Sequence, residues 1–169
     1  MPRLFLAVLP PEDVLDTLEG LNRPDVPGVR WTARNQWHVT LRFLGTTAVE
    51  PVVEALTAEP LARLPLQADL GPAVGRFENR VLMVPVAGLD TIARRAVETT
   101  AGIGRPPETR AFTGHLTLAR VRGASRVDLR MLAGEPVEER WWVDEVCLVE
   151  SRLAPTGPRY DVIQRFPLA

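Results

Sequence analysis

The sequence predicts an α+β protein with antiparallel sheets, and three observations carry that expectation. Strand-like segments outnumber helical ones, the turns between them are short, and the order runs strand, helix, strand, helix, hairpin, helix, strand, strands. The length of 169 residues suits one domain, or two tightly joined lobes, with room for a core.

The first strand is Arg3–Leu9, "RLFLAVL", apolar and weakly alternating. Pro10-Pro11-Glu12-Asp13 then marks a helix start, with proline and acids in the first turn, and Val14, Leu15, Leu18 and Leu21 form its apolar stripe. A turn-rich stretch, "RPDVPGVR", leads to the strand "WHVTLRFLG" (Trp37–Gly45). Thr47–Leu64 is helical in period and interrupted by Pro51 and Pro60. Leu66–Phe77 and Val81–Val86 read as a hairpin turning near Asn79-Arg80. Leu89–Gly104 is the clearest helix, ended by glycine. The loop "RPPETRAFTG" precedes the strand "GHLTLAR" (Gly114–Arg120), and Arg140–Val149 and Tyr160–Phe166 finish the chain as strands.

Composition narrows the function. The apolar fraction of 46% and charged fraction of 24% are those of a soluble globular protein. No apolar run reaches the length of a membrane span and no signal peptide is visible, so no membrane partner is expected. Cys147 is the lone cysteine, which leaves no disulfide framework and makes the cytoplasm the expected compartment. All 20 basic residues are arginine, so any cationic contact to phosphate is a planar fork. A net charge of −1 argues against wrapping long duplex DNA and suits a small or terminal anion better.

The chain holds two histidines, His38 and His115, and each opens the same His-x-Thr-Leu frame. In a strand, residues two apart share a face, so His38 and Thr40 point one way while Val39 and Leu41 point into the core. His115 and Thr117 relate to Leu116 and Leu118 in the same way. A lone strand histidine is more often a hydrogen-bonded structural residue, and a lone strand threonine reflects propensity. Two copies that take up the whole histidine content shift the balance towards function.

Other chemistries fit less well. Two imidazoles without an acidic partner at ligand spacing make a poor zinc site, so neither a metal nor another cofactor is expected. There is no nucleophile elbow, P-loop or G-x-G-x-x-G. Cys147 lies in an apolar strand and reads as core, and Trp141-Trp142 reads as packing. Two opposed histidines with two hydroxyls suit acid–base cleavage of a phosphodiester. One imidazole takes the proton of attacking water and the other protonates the leaving ribose oxygen, near an ordinary pKa of ~6.5. The threonines donate to non-bridging phosphate oxygens. Arg42 shares the parity of His38 and Thr40 and is a further candidate phosphate contact, weighed evenly against a strand-end residue reaching solvent. Arg105 and Arg110 read chiefly as a solvated loop that could guide an RNA 3′ end.

These blocks resemble the 2H phosphoesterase superfamily, and more closely its bacterial and archaeal RNA 2′,3′-cyclic phosphodiesterases, the LigT-like or 2′–5′ RNA ligase family. The resemblance rests on "RLFLAVLPP", "WHVTLRFLG", "RAFTGHLTLAR" and "LVESRLAPTGPRYDVIQRFPL", and it spans nearly the whole chain. It implies a single bilobal domain over 1–169, with pseudo-two-fold symmetry and one motif per lobe facing a central cleft. It also implies hydrolysis of RNA 3′ ends or nucleosides bearing a 2′,3′-cyclic phosphate to the 2′-phosphomonoester, with weak reversible 2′–5′ RNA joining in some members. Within that pattern His38 is the proton donor and His115 the proton acceptor. Thr40 and Thr117 bind phosphate, and Phe43 and Arg120 hold the nucleoside. Unbroken strand parity would put Phe43 and Arg120 on the apolar face, so each needs a strand end or bulge to re-aim it. Nothing demands more than a monomer. The competing readings are a non-catalytic RNA-end binding module, and a 2H enzyme acting on 2′–5′ oligoadenylate or ADP-ribose cyclic phosphate.

Overall fold

The computed structural model describes residues 1–168 and joins ten strands into one curled antiparallel sheet. In chain order the elements are β1 (Arg3–Val8), α1 (Glu12–Glu19), β2 (Val29–Trp31), β3 (Val39–Thr46), α2 (Val49–Ala58), β4 (Leu66–Leu70), β5 (Gly75–Phe77), β6 (Val81–Ala87), α3 (Asp90–Thr99), β7 (His115–Val121), β8 (Glu139–Val143), β9 (Glu145–Ala154) and β10 (Gly157–Pro167). The main path runs β10-β9-β1-β3-β7-β6-β4-β8, with β2 added to β7 and β5 to β6. The α+β expectation holds. No helix among the described residues is long and apolar enough to cross a membrane.

The path is nearly symmetric about its middle. β1, α1 and β3 form one strand–helix–strand unit, and β6, α3 and β7 form the other. The two motif strands meet at the centre through a single pair, Val39 opposite Leu116.

Apolar faces from both halves merge into one core, in which Leu4, Leu6, Leu18, Leu44, Leu82, Ile92, Leu116 and Leu118 are fully buried. Each such side chain contributes about 1.5–3 kcal/mol by leaving water. A second, smaller cluster of Phe5, Ala7, Cys147 and Val149 lies on the opposite face of β1 and β9, with Phe43 and Tyr160 packed against it. Burial, opposed by Arg165 and reinforced by Glu145, pushes the Cys147 thiol up to about 11. That keeps it a protonated core group, as its apolar strand suggested.

Several elements differ from the sequence reading. Pro51 does not interrupt α2, because it sits in the first turn, where its missing N–H has no helical partner. The helix stops at Ala58, ahead of Pro60. α3 ends at Thr99 rather than Gly104; the Thr100 hydroxyl donates to Ala96 O at 2.7 Å, and Gly102 and Gly104 turn the chain with positive φ. The expected hairpin partner is two strands, β4 and β5, which both pair with β6. The expected Arg140–Val149 strand breaks at Asp144 into β8 and β9. Trp141 is buried whereas Trp142 on the other face is exposed, so only one indole is core.

Candidate active site

Each motif strand carries an extra residue at the same place. On β3, Ala7 faces Thr40 and Leu6 faces Arg42, so Leu41 has no partner on β1. On β7, Met83 faces Thr117 and Leu82 faces Ala119, which leaves Leu118 without a partner on β6. These are β-bulges, and one extra residue flips the parity of the residues that follow it, on β3 as far as a second bulge at Leu44. Leu41-Arg42 and Leu118-Ala119 become buried doublets, while Phe43 and Arg120 return to the face of the histidines. The parity difficulty is resolved by two matching bulges.

The bulge on β3 also corrects the reading of Arg42. That side chain lies on the buried face, 4% exposed, and does not reach the cleft. Its guanidinium donates to Thr100 Oγ1 at 3.3 Å, Phe43 O at 2.9 Å, Ile103 O at 3.3 Å and Arg105 O at 2.8 Å. It therefore ties the first motif strand to the loop that descends from α3 towards the second. The negative end of the α3 dipole suits a cation there.

One cleft of about 230 Å³ is lined by His38, Thr40, Phe43, His115, Thr117 and Arg120 together, with Arg3, Phe5, Thr32, Gln36, Ser151 and Tyr160. All six residues singled out by the motifs thus meet in one place. Both imidazoles are anchored alike. His38 Nδ1 donates to Gln36 O at 2.7 Å and His115 Nδ1 donates to Thr113 O at 2.7 Å, each to the carbonyl two residues earlier. A carbonyl can only accept, so each ring is held with its proton on Nδ1 and Nε2 left for chemistry. His38 Nε2 lies 2.9 Å from Thr40 Oγ1, which donates to the neutral ring and accepts from the protonated one.

The two rings differ in their surroundings. His38 packs against Phe5 at 4.9 Å and edge-on to Tyr160 at 5.1 Å between centroids. His115 meets the edge of Phe77 at 4.8 Å. Burial lowers the His38 pKa; the Gln36 hydrogen bond opposes this, and the positive charges of His115 and Arg120 add to it. Phe43 has the guanidinium of Arg3 at 5.0 Å and that of Arg105 at 6.0 Å from its ring centre. Arg110 instead pairs with Glu108 on an exposed loop.

Thr32, Gln36 and Tyr160 went unremarked in the sequence reading, and each has a visible job. Thr32 Oγ1 sits 3.0 Å from Thr117 O and 2.9 Å from Leu118 O, at the β7 bulge, and accepts from Trp37 Nε1 at 3.0 Å. It braces the residue before the first histidine against the strand of the second. Gln36 holds His38 through its carbonyl and donates Nε2 to Pro158 O at 2.6 Å, fastening the start of β10. The usable signals were modest: Trp37 is buried and needs an acceptor for its indole. Among the described residues, no three His, Cys, Asp or Glu side chains gather as a metal site. What the cleft offers is two imidazole nitrogens for proton transfer, the hydroxyls of Thr40 and Thr117 on the same strands, and guanidinium charge.

No family model matches the chain. An RNA 2′,3′-cyclic phosphodiesterase of Thermus thermophilus is 33% identical over 98% of this chain and 90% of its own length. One from Methanocaldococcus jannaschii is 27% identical, covering 97% and 99%. Among solved structures, TT0787 of Thermus thermophilus superposes with a TM-score of 0.77 at 34% identity, over 98% of this chain and 97% of that one. Escherichia coli LigT complexed with 3′-AMP shares the fold, with a TM-score of 0.77 at 24% identity over 99% and 98%.

Proposed function

Because this chain belongs to the LigT-like RNA 2′,3′-cyclic phosphodiesterases of the 2H phosphoesterase superfamily, we propose that it opens the terminal cyclic phosphate of RNA by proton transfer between His38 and His115. In this reading His115 Nε2 takes a proton from water as the water oxygen bonds to phosphorus. The bond from phosphorus to the 3′ oxygen breaks, and that oxygen takes its proton from His38 Nε2. The product is a 2′-phosphomonoester with a free 3′-hydroxyl. The two rings end with exchanged protonation, which solvent resets. Thr40 and Thr117 donate to the non-bridging oxygens, and Phe43 and Arg120 hold the nucleoside. The observation that carries this is the shared anchoring of the rings, which turns both Nε2 atoms to chemistry in one cleft.

The role given to His38 meets one obstacle, because its surroundings favour the neutral ring. The substrate removes it. A phosphate anion beside Nε2 favours the imidazolium, so the acid is loaded when substrate binds. A 5′-hydroxyl in the place of water would give reversible 2′–5′ joining by the same two proton transfers.

The test is to incubate the protein with 2′,3′-cyclic AMP and with short RNAs ending in a cyclic phosphate, in a strong chelator, and to identify products by phosphorus NMR. The expected product is the 2′-phosphate, with His38→Ala and His115→Ala each slower by ~10²–10⁴-fold. A 3′-phosphate would exchange the acid and base roles. Loss of turnover in chelator, restored by a divalent ion, would refute metal-free catalysis. Binding without turnover would leave only an RNA-end binding module.

A further inference from the structure

Strand β2 places a second arginine against one of the cleft residues. Its register on β7 sets Val29 opposite Val121, Arg30 opposite Arg120 and Trp31 opposite Ala119. Cross-strand partners share a face, so Arg30 stands on the same side of the sheet as Arg120. Thr32, two residues past Arg30 and just beyond the end of β2, still pairs with β7 through Leu118 O, lines the cleft and gives the same answer. Two like charges directly opposed on neighbouring strands destabilise each other unless an anion joins them.

Neither guanidinium is neutralised internally. Arg34, Arg95, Arg130 and Arg165 each pair with a carboxylate, but among the described residues no carboxylate lies within salt-bridge distance of Arg30 or Arg120. Arg30 is held in place all the same: Nη2 donates to Thr156 O at 3.0 Å in the turn between β9 and β10. That turn is shaped around it. Gly157 has φ +120, and a side-chain carbon there would collide with the Arg30 guanidinium. The arginine is half-buried and positioned, while among the described residues its other guanidinium nitrogens have no partner. Beyond the pair, the chain leaves β7 through exposed Arg122 and Arg126, which extend the positive field away from the histidines.

Arg120 lies three residues past Thr117, roughly 10 Å at ordinary strand rise and less with the bulge. That is about the span of one nucleoside from the phosphate held between the histidines. We propose that Arg30 and Arg120 together form a second anion subsite, which takes the phosphate on the 5′ side of the terminal nucleoside and makes RNA ends better substrates than bare nucleosides. The proposal rests on the cyclic phosphodiesterase reading and adds to it a determinant of substrate choice.

Three substrates test it: 2′,3′-cyclic AMP, the same nucleotide carrying a 5′-phosphate, and a short RNA ending in a cyclic phosphate. In the wild type, kcat/KM is expected to rise when the 5′-phosphate is added, and to fall steeply with salt only for the two substrates that carry it. Arg30→Gln keeps an N–H for the Thr156 carbonyl but loses the charge. It should reduce the advantage of the 5′-phosphorylated substrates over cyclic AMP about tenfold, the loss of one charge-assisted contact. Arg30→Lys should restore most of that advantage. A merely structural Arg30 would slow all three substrates alike, and that result overturns the proposal. So does a wild type indifferent to the 5′-phosphate. If the wild type turns over none of the three, the hydrolase reading fails by itself. The subsite is then decided by fluorescence anisotropy, with labelled RNA ending in a 2′-phosphate: weaker binding by Arg30→Gln supports it, and equal binding overturns it.

Discussion

His38 lies between Phe5 and Tyr160, whereas His115 touches one ring edge, so the two imidazoles meet unequal solvation. Their unequal surroundings make a prediction about pH. In the free protein, burial lowers the His38 pKa, so its protonated form is lost at lower pH than for an ordinary histidine. Bound substrate brings a phosphate anion that acts in the opposite direction. The rate needs one ring protonated and the other neutral, so the profile is bell-shaped and its limbs belong to the coupled pair, in the free protein for kcat/KM and in the complex for kcat. Because the anion opposes the lowering, at least one limb should lie at higher pH in kcat than in kcat/KM, measured on 2′,3′-cyclic AMP; profiles with both limbs coincident would show that substrate does not load His38 as the acid. The paired histidines were legible in the sequence because every imidazole in the chain sits in the same frame. Their inequality was not, because Phe5 and Tyr160 come from β1 and β10 and reach His38 only through sheet order.

The bulges act at the level of the strand. Reading β3 with an unbroken period of two put Arg42 beside His38 and left Phe43 in the core, and both follow from missing one residue, Leu41. A bulge is a relation between two strands, so β3 alone could not disclose it; the register of β1 was needed. On β7 the same omission hid the orientation of Arg120. Freed from the cleft, Arg42 becomes a strut whose removal strands three acceptors at and beyond the end of α3 and one on β3. Arg42→Leu should destabilise the protein by about 3 kcal/mol, since buried acceptors lose their donor. Arg42→Lys should recover only part, because an ammonium cannot span the same acceptors. Urea midpoints measure both, and a leucine variant as stable as the parent would show that the strut is dispensable.

At the scale of the whole molecule, the antiparallel class was readable from alternation and turns, while β2, the division of β4 from β5 and of β8 from β9, and the order β10-β9-β1-β3-β7-β6-β4-β8 were not. Nothing local says that Arg3 will face Ser151 or that β2 will add to β7. Such pairings are long in sequence, and closing them costs chain entropy before contacts compensate. Refolding from urea should accordingly occupy milliseconds to seconds, as stopped-flow fluorescence of the four tryptophans would report; completion in microseconds would contradict this topology. β1 is an interior strand of the finished sheet, yet its neighbour β9 lies far along the chain from it. During translation the first strand therefore waits with an open edge while more than a hundred residues follow it, and such an edge invites mispairing with other nascent chains. Its wait ends when β9 and then β10 arrive, and with β10 comes Tyr160, the ring that closes over His38. β10 thus completes the cleft, and a chain stalled before it would carry both histidines in an unfinished site.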